Sequence, residues 1–249
     1  MNIFETSRTR FISHRGFRPL APENSLPSFY YAGLLGQWAI ETDVRVTRDG
    51  ALVCCHNATL EKYCNEDVAI EELNLCELAR YPIVNGKRVD CFFAEELCIP
   101  TFADYLAICK RFGSVPFIEL KTDDAERVIH AFRRYGFSDD EVVISSTVYK
   151  RLEESRACSP TAFLHWIFAE ESGLDRLAIL GNAGISWNFP NAWDCPMEKI
   201  DLAHSKGLKV CLRAADDLNT FLYMKQLGLD YFPTNTMQDR DQIAEKRNG

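Results

Sequence analysis

Residues 11–44, FISHRGFRPLAPENSLPSFYYAGLLGQWAIETDV, contain the pattern that decides the fold. The apolar run Phe11–Ser13 is typical of a short buried strand, Leu26–Leu35 has helical spacing, and Trp38–Val44 is again strand-like. A helix between two strands is the usual crossover that makes the two strands parallel. We therefore expect this stretch to form one strand–helix–strand unit of a parallel sheet.

The same alternation continues along the rest of the chain. Further strand-like runs lie at Val115–Leu120, Glu141–Ser146, Ala162–Trp166, Gly184–Asn188, Leu208–Arg213 and Leu229–Pro233. Stretches with helical spacing lie at Phe102–Arg111, Ala125–Tyr135, Tyr149–Cys158, Leu174–Gly181, Met197–Lys206 and Leu218–Leu227. Alternating strands and helices in a chain of this length predict an α/β fold, a (β/α)₈ TIM barrel, with a doubly wound parallel sheet as the alternative.

One strand-like run, Ala51–Cys55, breaks the alternation. It follows the preceding strand too closely for a parallel crossover, so it is interpreted as the returning arm of a hairpin. The Asp-Gly pair at residues 49–50 favours a two-residue hairpin turn. Counting outward from that turn pairs Asp43 with His56, and Glu41 shares their face because strands alternate with period two.

Composition argues against several classes of function. A formal net charge of −8 disfavours a protein that binds nucleic acid or an anionic membrane through a basic patch. We expect a small-molecule partner, with neither nucleic acid nor stable membrane association. The ten cysteines include no C-x-x-C pair, which argues against a zinc ribbon or a thioredoxin-type motif. They are interpreted as buried free thiols.

The chain shows no sign of targeting or division. Its N-terminal residues lack the basic segment and apolar core of a signal peptide, and no apolar run approaches the ~18 residues of a membrane span. No linker-like or repetitive stretch interrupts the sequence. These observations predict a cytoplasmic protein with a single domain over residues 1–249.

Polar side chains occur where the predicted barrel strands end. His14 and Arg15 follow the first strand, and Glu119 and Lys121 end the strand Val115–Leu120. Active sites of TIM barrels are built at these C-terminal strand ends. We therefore predict that the polar groups of several strands meet at one mouth.

The residue types at this mouth point to metal-assisted chemistry on an anion. Three carboxylates offer hard oxygen ligands that suit one divalent cation, Mg²⁺ or Ca²⁺: Glu41, Asp43 and Glu119. Two histidines titrate near neutrality, His14 and His56. Two cations can hold an anionic group beside the metal, Arg15 and Lys121.

At these residues the sequence resembles the glycerophosphodiester phosphodiesterase family. The matching pieces stand in the family's order: His14-Arg15-Gly16, Pro22-Glu23-Asn24-Ser25, Glu41-x-Asp43-Val44, Thr47-x-Asp49-Gly50, His56, Ile99-Pro100-Thr101-Phe102 and Ile118-Glu119-Leu120-Lys121. The resemblance is strong over residues 11–56 and 99–121. Each piece is weak alone, and the set is specific.

The resemblance implies a metal-dependent hydrolase on a TIM barrel. It would cleave glycerophosphodiesters, such as glycerophosphocholine or glycerophosphoethanolamine, to glycerol 3-phosphate and an alcohol. The family pattern implies the three carboxylates as metal ligands and His14 and His56 as the acid–base pair. Residues 57–98 would form a small helical insertion beside the mouth.

The chain departs from the family pattern at several places. Asn57 stands where relatives usually have an aspartate, and Glu61–Asn65 replaces an Arg-x-Thr segment. Near the C-terminal strands, Cys211–Ala215 and Thr234–Met237 replace the usual stretches. These parts tend to line the alcohol pocket, so the resemblance indicates phosphodiester hydrolysis more strongly than it indicates the alcohol.

Three other functions are compatible with parts of this pattern. A catalytically silent barrel would bind a phosphorylated ligand and would be expected to lack one of the site residues. A sugar-phosphate isomerase or lyase would need a glycine-rich phosphate loop near the last two strands. A lysophospholipase D-like enzyme acting on lipid head groups would have an exposed apolar surface at the mouth.

Overall fold

A computed structural model describes residues 3–4 and 9–238. Its strands are β1 (Phe11–Ser13), β2 (Ala39–Val46), β3 (Leu52–Cys54), β4 (Val115–Leu120), β5 (Val143–Ser146), β6 (Phe163–Trp166), β7 (Ala183–Ser186), β8 (Lys209–Cys211) and β9 (Phe232–Thr234). All except β3 run parallel in the order β8-β7-β6-β5-β4-β2-β1-β9. The predicted TIM barrel is confirmed.

Asp230 brings the two ends of the sheet together. Its backbone N–H donates to the Val210 carbonyl at 2.9 Å, and its carboxylate accepts from the Val210 N–H at 2.9 Å. These bonds lie between the segment that leads into β9 and strand β8. The eight parallel strands therefore form a nearly closed barrel.

The helices are α1 (Leu26–Leu34), α2 (Glu61–Cys64), α3 (Leu75–Leu78), α4 (Phe102–Phe112), α5 (Ala125–Arg134), α6 (Tyr149–Cys158), α7 (Leu174–Leu180), α8 (Met197–Ser205) and α9 (Leu218–Gln226). Helices α1 and α4–α9 connect successive parallel strands. Among the described residues, no helix is both long and apolar enough to cross a membrane.

Helix α4 shows how the sequence sets these connections. The Thr101 side chain accepts a hydrogen bond from the Asp104 N–H and caps the first turn. The helix ends at Gly113, whose φ of +65° lies in the left-handed region that favours glycine. Its buried residues recur at helical spacing and pack on the sheet: Phe102, Tyr105, Leu106 and Cys109.

A buried tyrosine ties α4 to the two strands that carry the site. The Tyr105 hydroxyl donates to the Ile40 carbonyl on β2 at 2.6 Å and accepts from the Phe117 N–H on β4 at 3.0 Å. Tyr105 is fully buried, so both bonds are shielded from water. This hydroxyl fixes β2 and β4 relative to each other.

The hairpin is present, but the predicted register was wrong by one residue. Val44 lies opposite Cys54, and Thr47 donates from its N–H to the Ala51 carbonyl. The loop therefore has three residues and ends at Gly50, with φ of +83°. Asp43 is consequently not opposite His56.

The inserted segment, residues 57–98, explains the longer loop. The Leu73 carbonyl accepts a hydrogen bond from the Arg48 N–H, and the Asp49 carboxylate accepts from the Leu75 N–H at 3.1 Å. The segment contains α2, α3 and three 3₁₀ turns. Its apolar side chains form a cluster of their own around Leu60, Tyr63 and Leu78. That the whole chain is a single domain stays a prediction.

All ten cysteines lie within the described residues and are free thiols. Six of them are buried, among them Cys54, Cys55 and Cys211 of the strand-like runs. Cys76 and Cys91, in the inserted segment, are exposed instead.

Candidate active site

A cavity of about 540 Å³ opens at the C-terminal ends of the barrel strands. Six of the seven predicted site residues line it: His14, Arg15, Glu41, His56, Glu119 and Lys121. The seventh, Asp43, is fully buried beside them. The structure thus brings all seven residues together, although they come from four separate parts of the sequence.

The three carboxylates meet because of strand register. Glu41 and Asp43 are two residues apart on β2 and so share a face, and Asp43 is the register partner of Glu119 on β4. One oxygen from each carboxylate lies within 4.8 Å of the others, and all three residues are buried. This is an all-oxygen set of the kind that Mg²⁺ and Ca²⁺ prefer.

Asp43 shows that a cation fits this cluster. Its Oδ2 accepts from Asn24 Nδ2 at 3.0 Å and lies 3.3 Å from Arg15 Nε. Its buried Oδ1 receives no hydrogen bond from any described residue, although Lys121 Nζ lies 3.4 Å away. A buried carboxylate oxygen without a donor is costly, and a divalent cation would give it a partner.

The pKa shifts of the three carboxylates also favour a bound cation. Burial, reinforced by the charge of Asp43, raises the pKa of Glu41 well above its ordinary value and that of Glu119 to about 7. Burial opposes ionisation of Asp43 too, but Arg15 and Lys121 outweigh it and lower its pKa. Three carboxylates this close ionise together only when additional positive charge is present.

Arg15 is held over the carboxylates by a sharp turn after β1. Its φ is +57°, and it is followed by Gly16 at +78°. A Cβ at Gly16 would come within 3 Å of Ser28, so only glycine fits there. The turn directs the Arg15 N–H to Glu41 Oε2 at 2.8 Å, while its guanidinium reaches Glu23 at 2.9 Å.

The protonation of His14 follows from its neighbours. Its Nδ1 lies 3.0 Å from Asn235 Oδ1, and that amide is oriented by Arg18, which donates to Oδ1, and by Asp216, which accepts from Nδ2. Because an amide oxygen only accepts, the proton is on Nδ1 and Nε2 is left as an acceptor. Burial, with the charge of Arg15, lowers the pKa of His14 to about 4.

His56 has a similar arrangement. Its Nδ1 lies 2.9 Å from Asn57 Oδ1, so the neutral amide that stands in place of the family's aspartate contacts the ring and orients it. Arg45 donates to the His56 carbonyl at 2.7 Å and fixes the backbone. Burial lowers the pKa of the ring, against the charge of Asp43, which raises it.

Two residues in the site had no specific role predicted from sequence. Asn24 bridges Asp43 and Thr42, whose hydroxyl donates to Asn24 Oδ1 at 2.9 Å. Asn235 stands out in the sequence only as a departure from the family pattern, yet it contacts His14. The available signals were the place of Asn24 in the family-like piece Pro22–Ser25 and the position of Asn235 just after the last predicted strand.

The far side of the cavity is apolar. It is lined by Ile167, Phe168, Pro190 and Leu212, which follow strands β6, β7 and β8. Phe168 is 42% exposed and has a φ of +56°, which is uncommon for an aromatic residue. The Arg213 guanidinium lies 5.6 Å from the centre of the Phe168 ring. Trp166, at the end of β6, and Trp187, directly after β7, are buried in the core.

A larger depression of about 740 Å³ lies between the inserted segment and helices α5 and α6. Charged side chains of both signs line it, among them Arg45, Glu71, Asp123 and Arg151. The predicted site contributes only Lys121 to this surface. The chemistry is therefore assigned to the 540 Å³ cavity.

Comparison with known proteins gives the following matches. A model of the glycerophosphoryl diester phosphodiesterase family matches residues 14–238. A glycerophosphodiester phosphodiesterase from Caldanaerobacter subterraneus subsp. tengcongensis is 30% identical over 159 residues, which cover 61% of this chain and 64% of that protein. A lysophospholipase D from Rattus norvegicus is 34% identical over 73 residues, 29% of this chain and 23% of that protein. The chain is thus aligned with less than two thirds of the length of either relative.

Solved structures share the fold. An Oleispira antarctica phosphodiesterase, determined in complex with the product sn-glycerol-3-phosphate, superposes with a TM-score of 0.84 at 23% identity, covering 98% of this chain and all of that one. A putative glycerophosphoryl diester phosphodiesterase from Silicibacter pomeroyi gives a TM-score of 0.76 at 22% identity, covering 93% of this chain and 91% of that chain. At these identities the likeness concerns the fold alone.

Proposed function

The chain belongs to the glycerophosphoryl diester phosphodiesterase family, and we propose that it hydrolyses glycerophosphodiesters with the help of a divalent cation. The products would be sn-glycerol 3-phosphate and the free alcohol. The observation that carries this proposal is the buried triad Glu41, Asp43 and Glu119, which lies beside two cations and two histidines at one cavity. The cytoplasmic location predicted from sequence remains a prediction.

The three carboxylates would hold the cation, Mg²⁺ or Ca²⁺. When bound, it supplies positive charge that stabilises the non-bridging oxygens of the phosphate. Arg15 and Lys121 add hydrogen-bond donors on the same side of the cavity. Because both side chains already face Asp43, at 3.3 and 3.4 Å, they are positioned next to the cation before substrate arrives.

Proton transfer would be carried out by the two histidines. At neutral pH both rings are neutral, because burial lowers their pKa values. A neutral ring accepts a proton from the attacking oxygen, and the other ring must donate a proton to the departing alkoxide. The negative charge of a bound phosphodiester favours protonation of a nearby histidine, which supplies the acid.

The proposal is tested by assaying purified protein with glycerophosphocholine, glycerophosphoethanolamine and bis(p-nitrophenyl) phosphate, with and without a chelator. We expect release of sn-glycerol 3-phosphate from the first two, loss of activity with chelator and recovery with Mg²⁺ or Ca²⁺. The variants His14→Ala and Glu41→Ala should be strongly impaired with glycerophosphocholine, while His130→Ala, a change to an exposed histidine on α5, should retain activity. Hydrolysis that is indifferent to chelator and to both site variants would contradict the mechanism.

A silent barrel is distinguished by the same experiment. The described residues retain both histidines and all three carboxylates, whereas a protein that only binds its ligand would be expected to have lost one. If no phosphodiester is hydrolysed but sn-glycerol 3-phosphate still binds in calorimetry, binding without turnover replaces the proposal.

A second candidate substrate class is the lysophospholipids. The apolar wall of the cavity and the exposed Phe168 at its edge correspond to the surface expected for an enzyme that takes an acyl chain. Choline release from lysophosphatidylcholine at a rate comparable to that from glycerophosphocholine would favour this activity. Release from glycerophosphocholine alone would exclude it.

A further inference from the structure

We infer that Glu23 is a positioning residue that joins the inserted segment to Arg15 through Lys62 and Tyr63. This inference rests on the proposed function, in which Arg15 binds the substrate phosphate. Lys62 and Tyr63 lie in the stretch Glu61–Asn65, where the sequence departs from the family pattern.

Glu23 receives polar contacts from four side chains, two in the loop after β1 and two in the inserted segment. Its Oε1 accepts from Arg15 Nη1 at 2.9 Å, from Lys62 Nζ at 2.5 Å and from the Tyr63 hydroxyl at 2.8 Å. Its Oε2 lies 3.1 Å from Arg18 Nη2. Glu23 itself is only 8% exposed, so these contacts replace water around a buried charge.

The charge state of Glu23 depends on these partners. Burial alone would raise its pKa, but the hydrogen bond from Lys62, the charge of Arg15 and the bond from Tyr63 lower it to about 2. Glu23 is therefore ionised throughout the physiological range. Removing a partner leaves the buried carboxylate incompletely satisfied, which costs free energy and favours a rearrangement of Glu23 away from its present position beside Arg15.

These contacts restrict the Arg15 side chain. Glu23 binds the Nη1 end of the guanidinium, Asp43 lies 3.3 Å from Nε, and Glu41 accepts from the backbone N–H. A guanidinium held from two sides keeps its orientation toward the cavity when substrate is absent. Such preorganisation lowers the entropic cost of binding a phosphate.

Tyr63 extends this restriction into the inserted segment. Its ring is 2% exposed and packs in the apolar cluster of residues 57–98, while its hydroxyl reaches Glu23. Lys62 is about half exposed, with its ammonium on the same carboxylate oxygen. Through Glu23, the packing of the inserted segment is coupled to the position of Arg15.

The test compares Glu23→Gln, Lys62→Met and Tyr63→Phe with a matched control, Glu61→Gln, an exposed carboxylate on the same helical turn. For Glu23→Gln we expect KM for glycerophosphocholine to rise about tenfold, with a smaller change in kcat, because Arg15 loses a charged hydrogen bond. Lys62→Met and Tyr63→Phe should raise KM several-fold. Lys62→Arg, which keeps the positive charge, should have a KM close to that of wild type. Glu61→Gln should behave as wild type.

Two further measurements separate positioning from simple stabilisation. In the double variant Glu23→Gln/Lys62→Met, the loss of Lys62 should add little to the KM of Glu23→Gln, because both changes break one interaction. Amide hydrogen exchange of residues 60–64 should be faster in Glu23→Gln and Tyr63→Phe than in the control variant. Unchanged KM in all three single variants, with only a lower melting temperature, would overturn the inference.

Failure of the inference is distinguishable from failure of the proposed function. If wild type hydrolyses none of the phosphodiesters, the proposed function fails, and the joining of Glu23 to the inserted segment is decided by hydrogen exchange. Exchange in Glu23→Gln identical to wild type would then overturn it. If wild type is active, the KM values of the three single variants decide whether the inference holds.

Discussion

The two sides of the cavity are built differently. The side formed by β1, the β2–β3 hairpin and β4 carries every predicted catalytic, metal-binding and phosphate-binding residue, and its charges are linked by hydrogen bonds and ion pairs. The side formed by β6–β8 is mostly apolar and includes the exposed Phe168. Under the proposed function, we expect the charged side to perform the chemistry and the apolar side to select the group attached to the phosphate.

The difference extends to the framework beneath each side. On the charged side, Tyr105 joins β2 to β4 and Asn24 joins the first loop to Asp43. On the apolar side, Phe168 sits in a left-handed conformation held by a bond from its N–H to Ser186 Oγ at 3.2 Å. The seven predicted site residues of the charged side match the family pattern, and the departures there, Asn57 and Asn235, contact the histidines, whereas the apolar side contains the departures at Cys211–Ala215.

The largest effect should come from a change to the carboxylate triad. Glu119→Gln removes one charged ligand while preserving shape, and we expect kcat/KM to fall about a thousandfold or more. Added Mg²⁺ or Ca²⁺ should raise the melting temperature of wild type, because a ligand that binds the native state stabilises it, and should do so far less in this variant. Glu126→Gln, an exposed carboxylate on α5, is the control. A metal-induced shift equal to that of wild type would show that the ion binds elsewhere.

The next effect should come from the histidines. His14→Ala and His56→Ala should each lower kcat about a hundredfold or more, because each removes a proton-transfer group. A substrate with a p-nitrophenol leaving group needs little protonation, so the variant that lacks the acid should be less impaired with bis(p-nitrophenyl) phosphate. That contrast identifies the acid. If the two variants were impaired equally with glycerophosphocholine and with bis(p-nitrophenyl) phosphate, the assignment of one histidine as acid and the other as base would be wrong.

A smaller effect should follow from loosening the charged side. Tyr105→Phe leaves the Phe117 N–H and the Ile40 carbonyl without their buried partner, at a cost of about 1–3 kcal/mol in the free energy of unfolding. Urea denaturation measures this cost, and Tyr30→Phe, a more exposed tyrosine on α1, is the control. A stability equal to wild type would show that the hydroxyl does not fasten β2 to β4.

The smallest effect should come from the apolar side. Phe168→Ala should leave turnover of glycerophosphocholine within about twofold and lower kcat/KM for lysophosphatidylcholine about tenfold, the scale expected for lost apolar contact with substrate. The ratio of kcat/KM for the two substrates measures selectivity independently of the amount of active enzyme. If both substrates are affected equally, Phe168 supports the fold of the cavity and does not select the substrate.

Much of the fold follows from local patterns. Strand β4 and helix α6 have the predicted bounds, because apolar periodicity and flanking glycines or turns mark their ends. The last strand was predicted at Leu229–Pro233, but β9 begins at Phe232. The Leu229 N–H bonds to the Met224 carbonyl at the end of α9, and Asp230 pairs with β8 through its side chain as well as its backbone. Such contacts between distant residues leave no local signal.

Some features of the site also follow from local patterns, whereas others depend on contacts between distant residues. Glu41 and Asp43 were predicted to share a face because strands alternate, and their meeting with Glu119 follows from parallel strand register. The pairing of Asp43 with His56 was wrong because Arg48 bonds to Leu73 in the inserted segment and lengthens the turn. The contact of His14 with Asn235 joins residues 221 positions apart, so only the closed barrel reveals it.

The central claim is that one divalent cation binds between Glu41, Asp43 and Glu119 and is required for hydrolysis. Crystals grown with Mn²⁺, at a concentration that supports activity, test it directly through the anomalous signal of the metal. The account predicts a single strong peak about 2.0–2.6 Å from an oxygen of each carboxylate. Active protein whose crystals show no peak among these three side chains, or a peak only elsewhere, would contradict it.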